Sequence, residues 1–218
     1  GKDYIQDKGW NKMIDLNKIN HVNNGVDLKE YINDIEKYQF QDKDLDDPSM
    51  FKVVYVGSVR KANNIGLLVR VGKELRKRNN NRIKIIIYGD GTDKEILEKK
   101  YVPYILSKSN LNILNYKQAA TWKYGGSQNK QFEYLASGRP ICSNVKMGYS
   151  IIRSNHCGIE DNIRNAEKYA SIIEGYSNMD EEEYKKECEN ATKAAEKYEY
   201  EHLTDEIEKI LLKSICPK

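Results

Sequence analysis

The sequence predicts an α/β fold built on a doubly wound parallel sheet, and three observations carry that expectation. Two strand-sized apolar runs, Phe51-Lys-Val-Val-Tyr-Val56 and Ile83-Lys-Ile-Ile-Ile-Tyr88, each stop at a glycine, Gly57 and Gly89. Between and after them lie segments of helical spacing, such as Leu67, Leu68, Val71 and Leu75. A polar, glycine-led loop then opens a further short helix near Asn129. At 218 residues the chain is long enough for one sizeable core of this kind.

The elements follow in order. Residues 1–48 are mixed: an apolar-leaning piece at 18–22 precedes the turn Asn23-Asn-Gly-Val-Asp27, and an acidic run at 42–47 ends in Pro48, as a linker would. The strand Phe51–Val56 leads to a helix from about Asn64, and the strand Ile83–Tyr88 is broken by Gly89-Asp90-Gly91. Asp93 then opens a charged helix whose end, Glu95-Ile-Leu-Glu-Lys-Lys100, runs straight into Tyr101-Val-Pro-Tyr-Ile105. Either a chain break or an unusually short connection is therefore expected around Lys99 to Val102. Val102–Ser107 reads as a short helix, Leu111–Leu114 as a strand, 129–137 as a helix and Ile141–Ser143 as a strand. A helical turn near 150–154, a short strand at 157–159 and an all-helical, highly charged stretch from Ala166 to about Leu212 complete the chain. The run 180–201 is expected to be a solvated face with i,i+4 pairs, its tyrosines Tyr184, Tyr198 and Tyr200 serving packing.

Composition narrows the function. Lys and Arg total 36 against 33 acidic residues, a net charge of +3, so no large basic field calls for nucleic acid. The longest apolar runs are strand-sized, which predicts no transmembrane helix, and no charged-then-apolar leader opens at Gly1. Four cysteines (142, 157, 188 and 216) show no CxxC spacing and no histidine pair at ligand distance. They are expected to be reduced, two of them packed at strands, with no metal and a cytoplasmic setting. Asp44-Leu-Asp46 resembles a metal-binding Asp-x-Asp, but it sits in a polar linker before a strand and is not read as one.

The chemistry concentrates in Gly125-Gly-Ser-Gln-Asn-Lys-Gln-Phe-Glu-Tyr-Leu-Ala-Ser-Gly-Arg-Pro140. Ser127 is placed to cap the helix and Gly138 to end it. Unpaired amides at such a start, with the helix dipole behind them, suit an anion such as a diphosphate. Glu133, one turn in, is placed to accept hydrogen bonds from a ribose diol. In doubly wound sheets ligands sit at the carboxyl ends of strands, so the Gly57 loop, the Gly89 turn and the loop 125–129 are expected to share one rim and one pocket. Each feature has a plainer reading: Gly89-Asp90-Gly91 as a bare turn, Arg60-Lys61 as a solvated loop, Glu133 as a surface residue. No nucleophile with an adjacent base is visible, so the readable chemistry is electrostatic stabilisation of a leaving diphosphate.

Taken together, the motifs resemble the C-terminal, donor-binding half of a GT-B-fold glycosyltransferase of the retaining family 4. Asn23-Asn-Gly-Val-Asp27 resembles the family's junction between halves, Tyr55-Val-Gly-Ser58 with Lys61-Ala-Asn-Asn64 its first strand and phosphate loop, and Ile86-Ile-Tyr-Gly-Asp-Gly91 its Gly-Asp-Gly turn. Residues 127–140 resemble its donor helix. The wording Lys-Ala-Asn-Asn and Ser-x-Asn-Lys-x-Phe-Glu-Tyr-Leu is similar to the subset that builds capsule and O-antigen, including N-acetylfucosaminyl transferases.

The resemblance implies a division into a junction and linker, 1–48, and a donor domain with C-terminal helices, 49–218. It places Glu133 at the second Glu of the family's Glu-x7-Glu motif; the first falls at Gly125, so that carboxylate is missing and backbone amides of Ser127, Gln128 and Asn129, beside Gly126, are expected to serve instead. Ser58 and Asn63 stand where the family often has Arg and Lys, leaving Arg60, Lys61 and Lys130 to neutralise the diphosphate without a metal or other cofactor. Gly57, Ser58, Asn63, Asn64, Gly89, Asp90 and Gly91 complete the implied donor site. A family strand is missing after the Gly-Asp-Gly turn. The implied partners are a nucleotide sugar, expected to be UDP-linked, and a glycan or lipid-linked acceptor held by an absent N-terminal half, with peripheral contact at the inner membrane face. A chain of this extent is expected to be inactive alone. A GT-B-fold epimerase and a non-catalytic α/β binding or signalling module remain as alternatives.

Overall fold

A computed structural model describes residues 1–89 and 99–215. Five strands form one all-parallel sheet: β1 (Phe51–Val56), β2 (Ile83–Tyr88), β3 (Leu111–Leu114), β4 (Ile141–Ser143) and β5 (Gly158–Glu160), in the order β2-β1-β3-β4-β5. The order departs from the chain sequence on both sides of β1, so the loops after β1 and β3 diverge around a switch point. The helices are α1 (Lys2–Asp7), α2 (Leu28–Lys37), α3 (Ile65–Lys77), α4 (Val102–Ser107), α5 (Asn129–Ala136), α6 (Ile151–Ser154), α7 (Ala166–Ser177), α8 (Glu181–Lys197) and α9 (Tyr200–Ile215). The α/β doubly wound expectation is met.

Successive strand residues point to opposite faces, and both faces are covered. Val53, Tyr55, Leu111, Ile113 and Cys142 pack with Leu67, Leu68, Val71 and Leu75 of α3 and Tyr169, Ala170 and Ile173 of α7. Val54, Val56, Leu114 and Ile141 pack on the other side with Phe132, Tyr134 and Leu135 of α5, Ile105 and Leu106 of α4, and the alanine stripe Ala191, Ala194, Ala195 of α8. Burying each such Leu, Ile or Phe is worth about 1.5–3 kcal/mol, which is what holds helices this short in place. Arg78, just past α3, clamps the α3–α7 layer by hydrogen bonds to Glu74 (3.0 Å) and Glu174 (2.7 Å).

Caps fix several helix starts. Asp27, Ser150, Asn165 and Asp180 accept from backbone N–H groups of Glu30, Arg153, Lys168 and Glu182 respectively. Helix α2 is absent from the sequence reading of 1–48. Its apolar stripe is only Leu28, Tyr31 and Ile35, and it is helical because Asp27 caps it and that stripe packs on α4. The piece at 18–22 forms no strand, and the segment before it holds α1 and two 3₁₀ turns. The helical tail is three helices, broken where Asn178 and Tyr198 end α7 and α8. Tyr184 and Tyr198 pack as expected, whereas Tyr200 is half exposed at the α8–α9 corner. Lys99–Tyr101 is a 3₁₀ turn that leads directly into α4; the rest of the connection from β2, with the charged helix expected from Asp93, lies outside the described residues. Cys142 and Cys157 are buried and free at β4 and beside β5.

The acidic run 42–47 hides one core side chain. Asp42 Oδ1 accepts from the N–H groups of Asp44 and Leu45, its other oxygen takes the Tyr88 hydroxyl at 2.8 Å, and Lys84 pairs with Asp44 at 2.5 Å. This turn drives Leu45 into full burial. Leu45→Ala is expected to lower unfolding free energy by about 2–5 kcal/mol in urea denaturation, as a core cavity would. A change below about 0.5 kcal/mol would mean that the run is only a tether.

Candidate functional site

The carboxyl ends of β1 and β2 and Tyr116, just beyond β3, open on one cavity of about 640 Å³. Gly57, Ser58 and Asn63 form one wall, Gly89 and Tyr116 meet it, and Gln128, Asn129, Lys130 and Glu133 of the α5 start close it. The Gly57 loop, Gly89 and the α5 start thus meet in one cleft, whereas Gly125, Gly126 and Ser127 of the loop before α5 do not line it. Asp90 and Gly91 lie outside the described residues.

Lys130 is the electrostatic centre. Its ammonium lies over the Tyr55 ring at 4.6 Å and the Tyr116 ring at 5.6 Å, and donates to the Tyr55 hydroxyl at 3.2 Å. Burial pushes its pKa down to about 8, with the Glu133 carboxylate pulling the other way. Gly57 makes room for it: a Cβ there would stand 2.7 Å from Lys130 Nζ, and a backbone φ of +139° already favours glycine. The Tyr55 hydroxyl in turn donates to the Ser58 carbonyl at 3.1 Å, so the lysine is tied to the loop after β1.

Glu133 faces the same cavity and also a second one of about 240 Å³, in which Tyr31, Asp34, Lys99 and Pro103 take part. Burial raises its pKa above the usual carboxylate range, although Lys99, 3.9 Å away, and Lys130 both oppose the shift. A half-desolvated carboxylate flanked by two cations is poised to accept hydrogen bonds from neutral hydroxyls.

The loop after β1 is held from below. The Asn63 side chain donates to the Ser58 carbonyl (2.7 Å) and hydroxyl (3.1 Å), and Asn115 donates to the carbonyls of Asn63 (2.7 Å) and Asn64 (2.9 Å). Asn64, with φ of +48°, turns the chain into α3 and does not line the cavity. Arg60 and Lys61 are exposed on this loop and do not line it either. The expected cap is corrected: Gln128, not Ser127, is the N-cap of α5, and no side chain caps that start. The reason is that the Ser127 hydroxyl is already engaged, accepting from the Asn24 N–H at 3.0 Å. Gly126 and Ser127 instead border a separate depression of about 360 Å³ with His21 and Tyr149.

Sequence reasoning missed Tyr55, Tyr116, Tyr31 and Lys99. The Tyr116 backbone is gripped by one side-chain amide: its N–H donates to Asn144 Oδ1 at 2.7 Å, and Asn144 Nδ2 donates to its carbonyl at 2.8 Å. Its ring leans on Trp122 at 5.3 Å. The only available signal was its place two residues past a strand end, at the rim where ligands sit. Tyr134, fully buried on α5, bonds both the N–H (3.0 Å) and the carbonyl (3.2 Å) of Val56 at the end of β1. Among the described residues no group of three or more His, Cys, Asp or Glu is placed to hold a metal ion.

No protein-family model and no curated protein matches the sequence. Solved structures do. HepE of Anabaena in complex with UDP is 13% identical over 88% of this chain and 57% of its own, with a TM-score of 0.62. A glycosyltransferase from Rickettsia africae is 16% identical over 93% of this chain and 58% of its own, with a TM-score of 0.64. The C-terminal domain of a group 1 glycosyl transferase, LpcC of Francisella tularensis, is 14% identical over 81% of this chain and all of its own, with a TM-score of 0.60. These likenesses show the fold alone: a Rossmann-like α/β domain with a parallel sheet. The chain spans a little over half of the two longer proteins.

The buried lysine makes a stability prediction. Its folded pKa, about 8, lies below the value of about 10.5 expected when unfolded. Below pH 8 both states carry the charge and folding bears the full desolvation cost; between pH 8 and 10.5 the folded state releases its proton first, so the cost fades as pH rises. Lys130→Met should therefore be more stable than the parent by about 1–3 kcal/mol at pH 7, with the gap closing toward pH 10.5. Urea denaturation of both proteins across that range checks it; a variant less stable at pH 7 would mean that the tyrosine contacts outweigh burial.

Proposed function

We propose that this chain is the donor-binding domain of a glycosyltransferase that moves a hexose or N-acetylhexosamine from a nucleotide sugar, UDP-linked, to a glycan or lipid-linked acceptor with retention, in surface polysaccharide synthesis. The observation that carries this reading is the meeting, in one cleft, of the buried Lys130 ammonium, the uncapped start of α5 and the Glu133 carboxylate. The diphosphate lies against Lys130 and the α5 amides, Glu133 takes the ribose hydroxyls, and the nucleobase reaches the smaller cavity beside Tyr31. Arg60 and Lys61 add charge from the exposed loop above.

The reaction assigned to the site is departure of the diphosphate as the acceptor hydroxyl attacks the anomeric carbon on the same face. Lys130 and the helix amides stabilise the leaving group, which is electrostatic catalysis without a metal. Acceptor groups belong to a partner half beyond residues 49–218, the junction 1–48 leading to it, and this chain alone does not turn over. The setting is the cytoplasm, at the inner face of a membrane; among the described residues no helix is long and apolar enough to cross one. Support comes from the fold neighbours: HepE is solved with UDP and with UDP-glucose, and WaaG is involved in lipopolysaccharide biosynthesis.

Calorimetric titration with UDP, GDP and CMP tests the reading, with UDP expected to bind best and absence of binding by all three overturning it. Binding next to Lys130 favours its charged form, so UDP should draw up to one proton from solution near pH 8, seen as a buffer-dependent enthalpy. Glu133→Gln should weaken UDP and uridine alike by about tenfold or more, since a charge-assisted hydrogen bond is worth about 1.5–3 kcal/mol. Lys130→Met should harm UDP far more than uridine. Equal losses for both ligands would place Lys130 away from the phosphates.

A further inference from the structure

The Ser127 hydroxyl and the Asn129 side chain, both at the anion end of α5, are held by one residue of the junction segment. The Asn24 N–H donates to Ser127 Oγ at 3.0 Å, and its side-chain amide donates to Asn129 Oδ1. The remaining oxygen of that amide is also used, accepting from the Gly25 N–H at 3.1 Å. Two of the three bonds of Asn24 thus span more than a hundred positions of sequence, and the third steadies its own side chain.

The clamp stands on a fixed base. The Val26 N–H donates to the Tyr198 carbonyl at 3.0 Å, and the Tyr200 N–H donates back to the Val26 carbonyl at 3.2 Å, locking the residues after Asn24 onto the α8–α9 corner. Only glycine fits beside it, since a Cβ at Gly25 would stand 2.4 Å from the Tyr198 carbonyl oxygen. On the other side Asn23 donates to the Tyr149 hydroxyl at 3.1 Å. Both ends of the short stretch 23–26 are anchored to the body of the protein, and its one free arm reaches the start of α5.

That start has no side-chain cap of its own, and the direction of its amides is set by the loop entering it. We propose that Asn24 is a positioning residue for the diphosphate: by holding Ser127 and Asn129 it aims the first amides of α5 into the 640 Å³ cleft without touching the ligand. Asn24 and Ser127 are both absent from that cleft's lining. This inference rests on the donor-site reading above. It assigns a role to the residue whose neighbours Gly25 and Asp27 have purely structural tasks, close approach and the α2 cap.

The experiment uses the full chain and two probes, UDP and uridine, by calorimetry. Asn24→Ala should weaken UDP about tenfold, the loss of one well-aligned hydrogen bond to a charged group, and leave uridine within about twofold. Both bonds to the loop are solvent-facing, so the melting temperature should fall by only a few degrees. Ser127→Ala removes the acceptor of the Asn24 backbone N–H, a bond that Asn24→Ala leaves in place, and should reproduce the selective loss, although Ser127 does not line the cleft. The two variants cut separate bonds to the same loop, so the double variant should lose more UDP affinity than either single one. Wild-type affinity for UDP in both single variants, or equal losses for UDP and uridine, overturns the positioning role while leaving the donor site standing. A parent protein that binds no nucleoside diphosphate overturns both.

Discussion

Parallel strands send every carboxyl end to one edge, and that constraint organises this molecule. Because β1, β2 and β3 all run the same way, the residues that follow them, Gly57, Gly89 and Asn115–Tyr116, must emerge on a common rim. The chain then needs only one further element, α5, to close a cleft there. Backbone geometry supplies half of the anion site and one lysine supplies the rest. Nothing in this arrangement depends on a long helix or a large core, which suits a sheet whose β4 and β5 are only three residues long.

The cleft illustrates a trade between stability and readiness. An ammonium resting on two tyrosine rings and one phenol oxygen is less well compensated than one beside a carboxylate. Glu133 is near enough to moderate its charge, but the pair also leaves each partner open to a ligand. Preorganised charge of this kind is costly in the empty protein and favourable once a counter-charge arrives. The network beneath it runs by hydrogen bonds from Tyr55 to Ser58 to Asn63 to Asn115 and keeps the loop from collapsing onto the lysine.

What could be read from the sequence was what local chemistry decides. Glycines ending apolar runs marked the strand ends, and hence the rim, while the polar loop before Phe132 marked the α5 start. Residues whose roles come from distant neighbours were not legible. Ser127 looks like a cap in sequence, and only the fold shows its hydroxyl spent on Asn24. Leu45, inside an acidic run, gives no periodic signal, and α2 shows too thin a stripe to separate from a loop. Tyr116 belongs to no motif; its place is set by Asn144, a side chain acting as a peptide group in the neighbouring strand's stead. Arg60 and Lys61 are the converse, prominent in sequence yet on the outer side of their loop.

The double bond of Tyr134 to Val56 has a dynamic meaning. Its hydroxyl closes the last peptide of β1 much as a neighbouring strand would, and Tyr134 rides on the same helix as Lys130 and Glu133. The strand that carries Gly57 and the helix that carries the charged pair are therefore pegged as one rigid body. Breathing of the cleft must come from its other walls, the loop after β1 and the α2 side. The Val56 amide, shielded from water, should exchange its hydrogen only in rare openings large enough to separate α5 from the sheet.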